Sequence, residues 1–125
     1  MKRILIEAVS QFAMRAPYNQ EASGGDWFVN PEGDLVIRVI GETLDDPEVF
    51  LFAFHELVEA KLCEAHGVSQ KRVDAFDLQA QSYLPPDREP GDLPECPYRK
   101  EHRQAMLCEH LLANFLGLDG YGEIR

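Results

Sequence analysis

A histidine and two glutamates lie in one of the most hydrophobic stretches of this chain, FAFHELVEAKLC at residues 52–63. Residues four apart in a helix lie one above the other, so His55 and Glu59 share a face, with Glu56 between them in the sequence. A buried carboxylate without a partner is strongly destabilising. A divalent cation would neutralise it, and imidazole with carboxylate is an ordinary ligand combination for zinc. The stretch therefore predicts a metal site that holds Zn²⁺ or another divalent metal.

A second histidine and glutamate lie on a hydrophobic stripe further along the chain. In YRKEHRQAMLCEHLLANFLG, His102 and Glu109 are seven residues apart, which is two helical turns. If the two hydrophobic faces pack together, both pairs converge on one site, where His55 and Glu59 are ligands and His102 is the third. Glu109 is the alternative third ligand. Two histidines with one or two carboxylates suit zinc, and a larger set would suit iron or manganese.

Both pairs also have an interpretation that needs no metal. An arginine could neutralise Glu59, and His55 could be a core histidine satisfied by its neighbours. The candidate arginines are Arg38, Arg72 and Arg99. In the same way, His102 and Glu109 could satisfy each other. Two independent coincidences of this kind are rarer than one, which favours the metal site.

The sequence before the HELVE motif predicts a β-hairpin. In GDWFVNPEGDLVIRVIG, two β-rich runs at 26–30 and 34–40 flank the turn NPEG. Pro31 presets φ for a turn, and Gly33 can take the left-handed conformation that closes it. Residues 2–16 fit either a strand or a short helix, and the pattern leaves that choice open.

Capping residues and glycines predict three helices after the hairpin. Asp46 and Ser69 can accept hydrogen bonds from the free N–H groups at the starts of the first two. The predicted helices span about 47–66, 70–84 and 98–117, and a proline-rich irregular segment separates the last two. The fold class is therefore α+β, a small antiparallel sheet or hairpin followed by a buried central helix and two further helices.

Composition limits the classes of function. The 125 residues predict a single domain, 1–125, and the formal net charge is −10 because Asp and Glu outnumber Lys and Arg by 22 to 12. This balance argues against nucleic acid as a partner. No segment approaches the roughly 20 apolar residues needed to span a bilayer, so no membrane partner is expected. Three scattered cysteines without a CxxC pair indicate reduced thiols and a cytoplasmic location.

HELVE after a strand pair resembles the HExxH zincin metalloproteases. The order of elements is also similar, with a hairpin, the motif helix and a later helix that carries the third ligand. The resemblance implies that His55 is the first ligand and that Glu56 is the general base. Glu59 occupies the position where the family has its second histidine, so the match is HExxE. It further implies a metal-dependent hydrolase or peptidase acting on an amide or related bond, for example in a peptide. The chain also resembles small bacterial and phage-encoded proteins with an HExxEA helix and a later PY…EH segment, which implies no particular activity.

Two alternatives belong to other functional classes. Glu56 and Glu59, followed by Asp74 and Asp77, are similar to the acidic signature of the all-α nucleotide pyrophosphatases, which hold magnesium between helices. Their second pair differs, however, and a hairpin does not belong in an all-α bundle. Asp74 and Asp77 are therefore interpreted as the polar side of a helix that packs through Val73, Phe76 and Leu78. The other alternative is a non-catalytic accessory or interaction protein, with or without a structural metal.

Overall fold

The computed structural model describes residues 3–20, 24–118 and 120–121. Within these residues, three strands form one sheet, and three helices accompany it. The strands are β1 (Ile4–Val9), β2 (Gly25–Val29) and β3 (Leu35–Ile40). The helices are α1 (Pro47–Ala65), α2 (Gln70–Ala80) and α3 (Arg99–Phe115). Short 3-10 turns occur at Gln11–Ala13, Tyr18–Gln20 and Pro90–Asp92. The architecture is α+β, as the sequence predicts.

The sheet is mixed, because its central strand β3 pairs differently on its two sides. β2 and β3 form the expected antiparallel hairpin, with Trp27 opposite Ile37. Its turn contains Gly33 at a φ of 89°, and the Gly33 N–H donates to the Asn30 carbonyl at 2.9 Å. β1 lies on the other side of β3 and is parallel to it. Residues 4–9, for which the sequence allowed a strand or a helix, are thus a strand that completes the sheet.

α1 begins and ends where its sequence predicts. The Asp46 carboxylate accepts a hydrogen bond from the Glu48 N–H at 2.9 Å, Pro47 occupies the first turn, and Gly67 follows the helix at a φ of 73°. Buried apolar residues of α1 and of β3 belong to one hydrophobic core. Its members include Ile37, Val39, Ala53, Ala60 and Cys63. The helix that carries His55 and Glu59 is therefore central to the fold.

α2 is shorter than predicted, since it ends at Ala80 instead of near Leu84. The chain turns tightly after the helix, where the N–H groups of Tyr83 and Leu84 both donate to the Ala80 carbonyl. Pro85 follows, and a residue before proline is driven away from the helical conformation.

None of the helices in the described part of the chain is long and apolar enough to cross a membrane.

A buried leucine of α1 tests this account of the core. Leu51 is fully buried, so Leu51→Ala should leave a cavity and lower the free energy of unfolding by about 2–5 kcal/mol. Leu107 on α3 is 62 % exposed, and Leu107→Ala should change that free energy by less than about 0.5 kcal/mol. Urea unfolding followed by circular dichroism measures both. Equal effects of the two substitutions would contradict this placement of α1.

Candidate metal centre

The two histidines of the predicted site lie side by side, because α1 packs against α3. The ring centroids of His55 and His102 are 4.9 Å apart. Each ring contacts a glutamate of the opposite helix: His55 Nδ1 lies 2.8 Å from Glu109 Oε1, and His102 Nδ1 lies 3.0 Å from Glu59 Oε2. The convergence predicted from the sequence is therefore present. The closest contacts, however, join a histidine of one helix to a glutamate of the other.

The Glu59 carboxylate occupies the middle of this cluster. One oxygen, Oε2, lies 3.0 Å from His102 Nδ1 and 3.3 Å from His55 Nε2. The other oxygen accepts a hydrogen bond from the Trp27 indole at 3.2 Å. Burial alone would favour a protonated carboxyl, but the hydrogen bonds from the two imidazoles outweigh burial and lower the pKa of Glu59 to about 2. No arginine in the described part of the chain forms an ion pair with Glu59.

Both imidazoles are held in their charged form when no metal is bound. Burial disfavours the charge on His55, yet its hydrogen bonds with Glu109 and Glu59 raise its pKa to about 11. Burial likewise opposes the charge on His102, while Glu59 and then Glu89 raise its pKa to about 10. The cluster therefore balances imidazolium against carboxylate, and a dication bound there would replace two protons.

Three side chains of the cluster are close enough to hold a metal ion. One ligand atom each from His55, Glu59 and His102 lies within 4.8 Å of the other two. The two contacts of Glu59 Oε2, 3.0 and 3.3 Å, are near the roughly 3.4 Å expected between ligands that bind one zinc ion tetrahedrally. Glu109 lies at the opposite nitrogen of His55 and accepts a hydrogen bond from the Tyr121 hydroxyl at 2.5 Å. Of the two candidates for third ligand, the geometry thus places His102 in the set, and Glu109 orients the His55 ring.

Glu56 follows His55 on α1 and lines a cavity beside the cluster. This cavity has a volume of about 90 Å³, and both Glu56 and Glu59 line it. The start of β2 passes close by, since a Cβ on Gly25 would lie 2.7 Å from Glu56 Cγ. Among the described residues, Glu56 has no hydrogen-bond partner. Burial, followed by the nearby Glu59 charge, raises the pKa of Glu56 well above its usual range.

Another buried acidic residue, Asp77, lines the same cavity. Asp77 is 5 % exposed and accepts hydrogen bonds of 2.5 Å from the Tyr18 and Tyr98 hydroxyls. Burial raises the pKa of Asp77 to about 7, although the two tyrosines oppose this shift. The interpretation of Asp77 as part of a solvated helix side was wrong, and Leu78 is exposed instead. Val73, Asp77 and Ala80 recur at helical spacing, so the buried stripe was present in the sequence.

The other aspartate of α2 belongs to a separate ionic cluster. Asp74 accepts hydrogen bonds from the Arg15 guanidinium at 2.8 and 2.9 Å, and the same guanidinium contacts Asp26 at 2.6 and 2.9 Å. This arginine therefore ties the segment after β1 to β2 and α2. These contacts could not be predicted from the sequence, because the three residues are far apart along the chain.

A contact between His66 and Glu101 joins the end of α1 to the start of α3. His66 Nδ1 lies 2.6 Å from Glu101 Oε2, and Glu101 is buried. As the residue number rises along the first helix, from His55 to His66, the number of the partner on α3 falls, from Glu109 to Glu101. The two helices are antiparallel, and this arrangement brings the predicted ligands together.

Two tyrosine substitutions test the hydrogen bond between Tyr98 and the buried Asp77. Tyr98→Phe removes one of the two hydroxyl donors to the buried Asp77, so it should lower the free energy of unfolding by about 1.5–3 kcal/mol. Tyr83 is 47 % exposed, and Tyr83→Phe should cost less than about 0.5 kcal/mol. Chemical unfolding of both variants compares them. A Tyr98→Phe variant as stable as the wild type would contradict the hydrogen bond to Asp77.

Comparisons with protein-family models, with curated proteins and with solved structures gave no match for this chain. The resemblance to the zincins therefore depends on the HELVE motif and the order of the elements alone. The function has to be inferred from the chemistry of the site.

Proposed function

We propose that this chain is a zinc-dependent hydrolase of amide or related bonds. His55, Glu59 and His102 hold the ion, and Glu56 transfers the proton. The observation that carries the proposal is the position of one carboxylate oxygen of Glu59, within 3.3 Å of a nitrogen of each imidazole. Glu59 and Glu56 both line the same cavity.

The outer contacts of the ligands support a metal centre. Metal-binding histidines usually donate their other ring N–H to a carboxylate, which fixes the ring and its tautomer. Glu109 supplies that carboxylate to His55 at 2.8 Å, and Tyr121 in turn donates to Glu109. Trp27 holds the second oxygen of Glu59 at 3.2 Å. Ligands fixed in this way need little reorganisation when a cation binds.

Glu56 has the position that a general base requires. It is one residue from the first ligand, it faces the cavity, and no hydrogen bond with another described residue occupies it. A bound zinc ion would supply Lewis acidity at this point. The positive charge of that ion would favour the ionised form of the Glu56 carboxyl, which accepts a proton from the attacking water and returns it to the leaving nitrogen.

The walls of the cavity favour a small amide substrate over an extended peptide. β2 is an edge strand, and a peptide would have to pair with its outer side. That side is already used, because the Val29 N–H donates to Gln70 at 2.8 Å and the Trp27 carbonyl accepts from Arg15 at 3.3 Å. The cavity of about 90 Å³ also suits a small group.

The magnesium pyrophosphatase alternative has less support from the contacts. It requires Asp74 and Asp77 to be available to a cation, together with Glu56 and Glu59. Arg15 already holds Asp74, and two tyrosine hydroxyls hold Asp77. A non-catalytic accessory protein would use the same zinc ligands but would not depend on Glu56.

The first test of the proposal is the metal content. Protein purified without added metal should contain about one tightly bound zinc ion per chain by elemental analysis, and His55→Ala should abolish its retention. His110 lies on α3 beside Tyr121 and outside the ligand set, so His110→Ala is the matched control and should retain the ion. If the wild type retains no zinc when zinc is supplied at equilibrium, the metal centre is wrong.

The second test separates catalysis from a structural role of the ion. Glu56→Gln should retain zinc but lower the rate of hydrolysis of small N-acyl and amide substrates by about 10²–10⁴-fold, because general-base catalysis is lost. Glu64 is exposed on the same helix, and Glu64→Gln should keep the wild-type rate. An unchanged rate in Glu56→Gln would favour the accessory protein over the enzyme.

A further inference from the structure

Among the residues that the structure describes, the outer nitrogen of His102 has no hydrogen-bond partner, in contrast to the outer contacts of the other two ligands. The His102 side chain is only 4 % exposed, and its Nε2 forms no hydrogen bond among the described residues. Nε2 lies 3.4 Å from Glu89 Oε2 and 3.4 Å from Asp92 Oδ1. Both carboxylate oxygens are within ion-pair distance of Nε2, but neither contact has hydrogen-bond geometry, which is uncommon for a buried ring nitrogen.

The segment that carries the two carboxylates packs directly against the His102 imidazole. The 3-10 turn Pro90–Asp92 packs so closely that a Cβ on Gly91 would lie 2.3 Å from His102 Cγ. One oxygen of Asp92 accepts a hydrogen bond from the Glu89 N–H at 3.1 Å, while the other faces Nε2. The local fold of this turn therefore aims one oxygen of each residue at the same nitrogen.

The three atoms have the spacing of a ligand set. Glu89, Asp92 and His102 each offer an atom within 4.8 Å of the other two. The separation of 3.4 Å from Nε2 to each oxygen equals the roughly 3.4 Å between ligands at about 2.1 Å from one cation in tetrahedral geometry. The Glu89 side chain is 57 % exposed, so water can enter and complete the coordination.

We propose that Glu89, Asp92 and Nε2 of His102 form a second site for a divalent cation. Two carboxylates with one imidazole suit zinc or manganese. The second site uses the opposite edge of the ring from the first site, so His102 would bridge two cations as an imidazolate, with both of its ring N–H protons released to solvent. The proposal goes beyond the single-ion hydrolase, and it shares only His102 with the first site.

The alternative is that the two carboxylates only orient His102 as a ligand of the first ion. The two explanations differ in stoichiometry. An orienting role predicts that removing both carboxylates lowers the affinity of the first zinc ion by roughly 10–100-fold without changing the number bound. A second site predicts that one zinc ion is lost and that the first is retained.

Zinc stoichiometry of the full chain, measured by equilibrium dialysis and elemental analysis over a range of free zinc concentrations, decides between them. The wild type should bind a second zinc ion more weakly than the first. The variant E89Q/D92N should bind only the tighter ion. Asp87 and Glu95 are exposed in the same segment, so D87N/E95Q makes the same charge change and should bind both ions. Circular dichroism verifies that each variant is folded.

His55→Ala separates this proposal from the proposed function. It removes a ligand of the first site and leaves Glu89, Asp92 and His102 in place, so it should lose the tighter ion and keep the weaker one. The second site is wrong if the wild type and E89Q/D92N bind the same number of ions, or if D87N/E95Q loses an ion as well. Retention of both ions by His55→Ala would instead overturn the first site and leave the second standing. The single variant E89Q, at a largely exposed side chain, should weaken only the second ion and provides a check should E89Q/D92N unfold.

Discussion

The buried carboxylate of Glu59 is the constraint on which the arrangement of this protein depends. Removing a carboxylate from water is costly unless charged or polar partners surround it. Its partners come from three elements, since His55 is on α1, Trp27 on β2 and His102 on α3. The charge can therefore be buried only when the sheet, the central helix and the last helix are together. Folding of the domain and assembly of the site are the same event at this residue.

Side chains one layer further out hold this cluster in place. Tyr121 donates to Glu109, which contacts His55, and the turn Pro90–Asp92 lies against His102. Two glycines make the close approaches possible, because a Cβ at Gly25 would collide with Glu56 and one at Gly91 with His102. At each of these glycines, the backbone thus lies directly against an ionisable side chain. Such close contact restricts the rotamers of the ligands, which is what a preorganised site requires.

The charge of the protein is distributed in a way that suits a cation. Acidic side chains from β2, α1, α2 and the segment before α3 line one cavity, within a chain of net charge −10. Arg15 neutralises one part of this wall through Asp26 and Asp74, and two tyrosines hold Asp77 through hydrogen bonds alone. In the described part of the chain, the carboxylates nearest the histidines pair with those imidazoles and with no arginine. A field of this sign raises the local concentration of positive ions.

Local patterns in the sequence determined much of this protein. Helical spacing placed His55 with Glu59 and His102 with Glu109, and the residues at Asp46, Ser69 and Gly67 marked helix ends. These features follow from contacts within a few residues, which periodicity and capping rules describe. Tertiary structure alone decided that β1 is parallel to β3, that each histidine contacts the glutamate of the other helix, and that the segment 89–92 brings two carboxylates to His102. The physical reason is that the direction in which α1 and α3 cross, and the path of the segment between them, depend on contacts between residues far apart in the chain, which no local pattern records.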